Sequence, residues 1–428
     1  MSRADSRNGN TVVMRGKAAR RKERLMHRLE DYLDVVGDQR IATILRKARR
    51  LYGKHFVHMN STYHGGGVAE MLTTLVPLTN DSNVDAGWRI LHGNSDFFAI
   101  TKQFHNAMQG GELKLTDAKK RIYLETNREF SIFTHIDHDA VVIHDPQPLP
   151  LIRNYQKNQP WIWRCHIDIS EPNPMLWEFL KQFIIRYDMA IISSETYRKP
   201  DLPVEQRVIE PAINPLSAKN EDLTDQHIAS ILENFGIPTD KPFITQISRF
   251  DPWKDPLGVL EVYRRVRRKV DCRLVLCGSM ASDDPEGYDV YEKVRQEADP
   301  LIRSGDVILI TYQSNIMVNA IQRAAAVIIQ KSLREGFGLT VTEGLWKQRP
   351  VIASRVGGIP LQIEDGKTGF LLEPDDYQGF ADRAIQLLES PEEALEMGRL
   401  GREHVRERFL VTRLLSDYLD LVAEVLGR

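Results

Sequence analysis

Residues 326–354 read AVIIQKSLREGFGLTVTEGLWKQRPVIAS. A short apolar run ends at Ser332, a loop carrying Gly336 and Gly338 follows, residues 339–347 have helical character, and RPVIAS is a second apolar run. Strand, loop, helix, strand is the repeating unit of a parallel sheet, because two parallel strands need a crossover between them. Such sheets are covered by helices on both faces, and ligands collect beyond the C-terminal ends of the strands. The loop at 334–338 lies at such an end. Glu335 is therefore expected to face a cleft, with Glu343 roughly a turn and a half into the helix. The glycines let backbone approach a ligand closely, and the unpaired N–H groups opening the helix favour an anion such as phosphate. A carboxylate on the loop suits the hydroxyls of a sugar ring, and a second, set deeper, suits a ribose diol. A plainer account stays open, in which the acids answer the helix macrodipole.

The same alternation extends both ways. HFVHMNST (55–62), WRILHG, AVVIHDPQ, WIWRCHID, MAIISSE and RVIEPAI are strand candidates separated mostly by helical stretches such as PMLWEFLKQFIIRYD. Residues 214–226, NPLSAKNEDLTDQ, are polar and read as a linker. The pattern then restarts with PFITQISRF, RLVLCGS, DVILITY, AVIIQKS and RPVIAS. The expectation is α/β, two doubly wound domains, 1–213 and 214–411, facing across a cleft. A length of 428 residues suits two cores better than one. The terminal TRLLSDYLDLVAEVLGR is an amphipathic helix.

Composition excludes several classes. A net charge of -2 gives no bulk attraction to nucleic acid or acidic lipid. No apolar run reaches the ~18 residues of a membrane span, and MSRADSRNGN lacks the apolar core of a signal peptide. Three cysteines, Cys165, Cys272 and Cys277, without metal-ligand spacing point to reduced thiols and a cytoplasmic setting. The first ten residues are expected to be loose. Residues 15–54 read as helices with thirteen Lys and Arg against five Asp and Glu. Leu25, Leu29, Tyr32, Leu33 and Val36 make a packing face there, with the basic side solvated.

Further side chains fall at strand ends. ITQISRFDPWKD puts Arg249 and Lys254 just past a strand, where two cations suit a pyrophosphate. Pairing with Asp251 and Asp255 is the alternative. STYHGGGVAEM places Gly65, Gly66 and Gly67 between a strand and a helix, as a phosphate cradle or as a tight turn. IHDPQ and RCHID bring His144, Asp145, Gln147, His166 and Asp168 to strand ends, where sugar hydroxyls would find donors and acceptors; for His144 a structural role is favoured. HIDHD (His135, Asp137, His138, Asp139) looks like metal ligands but precedes its strand, at the end away from the cleft. No metal is expected to be needed.

These residues resemble a known family. Glu335 and Glu343 form the E-x7-E pattern of the retaining GT-B glycosyltransferases of the glycogen-synthase-like group, glycosyltransferase family 4. NSTYHGGGVAEML, VVIHDPQPLPLI, WIWRCHIDIS, ITQISRFDPWKD and SLREGFGLTVTEGLWK are similar to the trehalose glycosyltransferring synthases, from about residue 30 to the C-terminus. The basic N-terminus and Asp255, where glycine is expected, depart from the pattern. The resemblance implies transfer of glucose from a nucleoside-diphosphate glucose to C1 of free glucose, reversibly, with the donor's configuration kept and no enzymic nucleophile. It implies that Arg249 and Lys254 meet the diphosphate, Glu335 the donor glucose and Glu343 the ribose. The backbone of Gly336, Phe337, Gly338, Leu339 and Thr340 would face phosphate or sugar, with Gly65 to Gly67 near the donor. His166 and Asp168 would lie near the junction of the two sugars, and Asp145 and Gln147 near the acceptor. It also implies that the last helix, 412–428, crosses back to the first domain, and a homodimer. Three rivals remain at this stage: a retaining trehalose phosphorylase, a two-carboxylate glycosidase, which leaves the cations unexplained, and a non-catalytic nucleotide-sugar sensor.

Overall fold

The computed structural model describes residues 26–63, 66–278, 285–312 and 314–427. The expectations for residues 1–25 and for Gly65 lie outside the described residues.

The first sheet contains β1 (His55–Asn60), β2 (Asp85–Ile90), β3 (Ala140–His144), β4 (Trp161–Arg164), β5 (Met189–Ile192) and β6 (Glu205–Val208). Their order is β2-β1-β3-β4-β5-β6, every neighbour parallel. AVVIH, WIWR and MAII are buried along their whole length, as unbroken apolar runs require, whereas β2 and β6 at the edges are only partly covered.

The second sheet contains β7 (Phe243–Ile247), β8 (Arg273–Cys277), β9 (Val307–Ile310), β10 (Val327–Gln330), β11 (Val351–Ser354) and β12 (Gly369–Leu372). Its order is β12-β11-β10-β7-β8-β9, again parallel. Sequence reading does not anticipate β12, a four-residue edge strand too short to show a period.

In both sheets the order reverses between two central strands, β1 and β3 in one and β7 and β10 in the other. Connections leaving such neighbours pass to opposite faces, so a crevice opens beyond their C-terminal ends.

The chain passes between the domains twice, and the two passages touch. Ile213 N–H donates to the Phe409 carbonyl and Val411 N–H to the Ile213 carbonyl, both at 2.9 Å. The last helix, Val411–Val425, then lies on the first domain. Leu414, Tyr418, Leu421 and Val422 are buried there among Phe56, Leu72, Val142 and Ile191. Leu29, Tyr32 and Ile44 of the leading helices join the same core. Residues 214–226 are no loose tether. Asn319 Nδ2 donates to the carbonyls of Ala218 and Glu221, and Arg323 Nη2 to those of Asn220 and Glu221. Polar anchoring of this kind leaves no hydrophobic signal in a sequence.

Candidate active site

A cleft of about 800 Å³ separates the two sheets. Asn60, His144 and His166 reach it from one side, and Ile247, Cys277 and Gln330 from the other.

On the second domain's side, two loops meet at the order reversal. The loop after β7 carries Lys254, and the loop after β10 carries Glu335. Lys254 Nζ donates to Glu335 Oε2 in a charge-assisted bond, with Ser332 Oγ at 3.4 Å from the same oxygen. Arg249 pairs with Asp251 Oδ2 at 3.2 Å and keeps half its side chain exposed. Lys254 thus does not pair with Asp255. Asp255 has φ +44°, a left-handed conformation that glycine reaches most easily and that aspartate tolerates through local hydrogen bonds. Its Oδ1 caps the helix Pro256–Val266 by accepting from Gly258 N–H at 3.0 Å, and its Oδ2 takes the ammonium of fully buried Lys331. The departure from glycine is met by two compensating contacts.

The glycines of the opening stretch have separate reasons. Gly338 starts the helix Leu339–Trp346 at φ +84°. A Cβ on Gly336 would lie 2.6 Å from the His166 carbonyl, across the cleft. Just past that stretch, Gly357, at φ +55°, lets the turn at 356–359 (VGGI) pass against the Glu335 carbonyl. Tyr197 of the first domain donates to the Glu335 and Gly336 carbonyls at 3.1 and 2.6 Å. The loop bearing Glu335 is therefore clamped from both domains. Phe337 sends its ring into the core against Phe409, while Leu339 and Thr340 line the wall. Gly66 and Gly67 face this wall, with a Cβ on Gly67 reaching Leu339 Cδ1 at 3.0 Å.

Glu343 is 5% exposed and carries a partner that sequence reading misses. Lys219 Nζ, from the interdomain connection, lies 3.5 Å from Glu343 Oε1 and 2.5 Å from Glu70 Oε2 on the helix Gly67–Asp81. Gln322 Nε2 adds a bond to Glu343 Oε2 at 3.3 Å. Behind Glu343, burial pushes the Lys347 ammonium down to about 7. One cation thus ties a carboxylate of each domain.

On the first domain's side, Asp145 has φ +62°, and its Oδ1 accepts from His166 N–H at 2.8 Å. Burial pushes its carboxyl up to about 7, against the pull of that bond and of Arg164. Gln147 lines the cleft. Asp168 does not: its Oδ1 accepts from Ser170 N–H and Oγ at 2.9 and 2.6 Å, closing a local turn. His105, also unforeseen, faces the cation pair, and burial followed by repulsion from Arg249 pushes it down to about 4.

His55, Asp137 and His138 do converge, with donor atoms within 4.8 Å of one another. His55 opens β1, so this group stands at the opposite end of the sheet from the cleft. Asp139 is taken up by His55 and Lys54.

Residues 58–199 match the family described as "Trehalose synthase, N-terminal domain", and residues 228–404 match "Glycosyl transferases group 1". The trehalose synthase of Thermococcus litoralis is 48% identical over 402 residues, covering 92% of this chain and 96% of that protein. This chain belongs to the trehalose synthase family. A second trehalose synthase, from Rubrobacter xylanophilus, is 45% identical over 93% of this chain and 97% of its own. A trehalose phosphorylase of Pleurotus pulmonarius is 29% identical and is matched over 61% of its length. Among solved structures, a UDP-forming α,α-trehalose-phosphate synthase from Burkholderia xenovorans superposes with a TM-score of 0.70 at 13% identity, over 86% of this chain and 100% of that one. At that identity the likeness is one of fold, the GT-B arrangement of two Rossmann-like domains across a cleft.

Within this cleft, the residues foreseen from sequence stand mostly at the C-terminal strand ends. Lys219 and His105 escape sequence reading because they lie in a linker and on a helix with no motif around them, and Glu70, although inside STYHGGGVAEM, escapes because the glycines of that stretch draw the reading.

Proposed function

We propose that the protein is a retaining glycosyltransferase that moves glucose from a nucleoside-diphosphate glucose to C1 of free glucose, making α,α-trehalose, reversibly. The observation that carries this is near-full-length similarity to trehalose synthases, on a chain whose paired Lys254 and Glu335 stand at the order reversal of the second sheet.

The donor C1–O bond to the diphosphate breaks, and the acceptor's O1 bonds to C1 from the same face. The acceptor's hydroxyl proton passes to the leaving phosphate oxygen, so trehalose and a nucleoside diphosphate result with no enzymic nucleophile. An ammonium has three N–H donors. Lys254 can hold Glu335 with one and meet the phosphate with the others, while half-exposed Arg249 supplies a second cation. Both answer charge that grows on the leaving group. Glu335 then orders the donor glucose, Glu343 the ribose, and the backbone from Gly336 to Thr340 the phosphates. Asp145, Gln147 and His166 are left for the sugars on the opposite wall, a use of proximity more than of covalent chemistry. The buried, unpaired thiols of Cys165, Cys272 and Cys277 accord with a cytoplasmic enzyme.

Incubation with glucose and, in turn, UDP-, ADP- and GDP-glucose tests the reading. It should yield α,α-trehalose with release of the matching diphosphate. Trehalose turnover that needs inorganic phosphate and ignores every nucleotide sugar would make the protein a phosphorylase. Donor binding without any turnover would make it a sensor.

A further inference from the structure

Three histidines form a hydrogen-bonded row across the first sheet, on β1, on β3 and just past β4. His58 Nδ1 meets His144 Nε2 at 2.9 Å, and His144 Nδ1 meets His166 Nε2 at 2.9 Å. His144 and His166 both line the cleft; His166 ends the row there, and among the described residues no protein group bonds its Nδ1. At the far end His58 is fully buried between Phe56 and Tyr418, and among the described residues its Nε2 has no partner.

A neutral imidazole carries one N–H and one lone pair. With all three rings neutral and both bonds made, only two arrangements exist. In one, every ring is the Nδ1–H tautomer and each donates toward the cleft. In the other, every ring is the Nε2–H tautomer and each donates toward His58. The first leaves a buried lone pair unpaired at His58 Nε2. The second leaves a buried N–H unpaired there, and orphaned buried N–H groups are the rarer of the two. Burial holds the rings neutral, pushing His58 down to about 3 and His144 and His166 well below their ordinary value.

We propose that His58 and His144 are positioning residues that fix His166 as its Nδ1–H tautomer, so that His166 presents a hydrogen-bond donor, and no base, to the cleft. A sugar hydroxyl oxygen can accept from it, but His166 cannot take the acceptor's proton. That proton must then leave by another route, as it does when the departing phosphate oxygen accepts it. The tautomer follows from the two bonds and from the buried, unpartnered Nε2 of His58. Its use on a sugar rests on the trehalose-forming reading.

The test is imidazole ¹⁵N NMR on the full-length protein, without ligand. In the parent, His144 and His166 should show the Nδ1–H pattern, although free histidine in water favours Nε2–H. His58→Asp replaces the donor that holds His144 by an acceptor, and His166 should shift toward Nε2–H. His58→Asn, whose amide N–H can replace Nδ1–H, should restore the parent pattern. Turnover with saturating donor should fall about tenfold in His58→Asp, part of the ~10²–10³ lost with a whole donor, and return in His58→Asn. An Nε2–H pattern at His166 in the parent overturns the proposal even if no variant folds. A His166 tautomer unmoved in His58→Asp overturns the coupling. A shifted tautomer with unchanged turnover overturns the role on the sugar, and leaves trehalose formation itself standing.

Discussion

The Lys254 ammonium rests on the Glu335 carboxylate and so joins the loop leaving β7 to the loop leaving β10, the two strands between which the second sheet reverses its order. Both side chains are largely buried, 17% and 12% exposed. Lys254→Ala should therefore have two effects. Turnover at saturating donor should fall by about 10²–10³, and unfolding should come at lower urea because Glu335 loses its partner. Arg249→Ala should cut turnover on the same scale but leave stability within about 0.5 kcal/mol, since Arg249 is half exposed. Near-normal rates in both variants would remove the phosphate clamp from the mechanism.

The two glutamates should separate kinetically. Glu335→Gln weakens contact with a ring that gains positive charge in the transition state, so kcat should fall with donor affinity. Glu343→Gln touches the ribose, which does not change in the reaction. It should raise donor KM with a smaller effect on kcat and weaken binding of the free nucleoside diphosphate. Lys219 lies 3.5 Å from Glu343, so Lys219→Met should weaken diphosphate binding about tenfold, on the scale of one charged hydrogen bond. Lys219→Arg should recover part of it. Calorimetric titration of the diphosphate ranks the variants, and stronger weakening in Glu335→Gln than in Glu343→Gln would reverse the two assignments.

Asp255 meets a left-handed φ without being glycine. Asp255→Gly would ease the backbone but strip the cap from the helix Pro256–Val266 and the carboxylate from buried Lys331. The loss should outweigh the gain and approach the roughly 3–5 kcal/mol of a broken buried pair. Asp255→Asn keeps the cap and the tolerance of positive φ, so it should cost less. A glycine variant as stable as the parent in urea would show that the Lys331 contact contributes nothing.

Burial raises the Asp145 carboxyl to about 7, above the usual aspartate value in the unfolded chain. Between about pH 4 and pH 7 the unfolded state has released this proton and the folded state still holds it. The group's contribution to stability should therefore fall as pH rises through that window, by at most about 1.4 kcal/mol per pH unit and by less where cleft water reaches it. Asparagine suits φ +62° and does not titrate. Unfolding midpoints of the parent and Asp145→Asn should diverge from pH 4 to pH 7 and run parallel above it. Parallel curves throughout would place the carboxyl at its ordinary value.

Turnover should persist in excess EDTA. Lys254 and Arg249 already supply two positive charges to the diphosphate, and the donors of His55, Asp137 and His138 stand at the far end of the sheet. Complete loss of rate, restored by magnesium or manganese, would assign part of the phosphate charge to a metal.

The sequence by itself determined the two parallel sheets and the loops at their C-terminal ends. Apolar runs such as AVVIH and VIIQ, separated by helical periods, state strand and helix locally, and a parallel strand end is where a loop must face the crevice. Glu335, Glu343, Arg249, Lys254, Asp145 and His166 were legible for that reason. Which charge meets which was decided only by the tertiary structure. Lys254 could pair with Asp255 beside it or with Glu335 eighty-one residues on, and it takes Glu335 because Asp255 turns into a left-handed cap and faces Lys331. Asp168 looked as available as Asp145, but its Oδ1 closes a local turn with Ser170. Lys219 lay in a stretch that read as a polar linker, yet it bridges Glu70 and Glu343, separated from it by 149 and 124 positions of chain. Periodicity records which face of an element is buried. Pairing between side chains distant in sequence depends on how the two domains pack, and no local pattern carries that information.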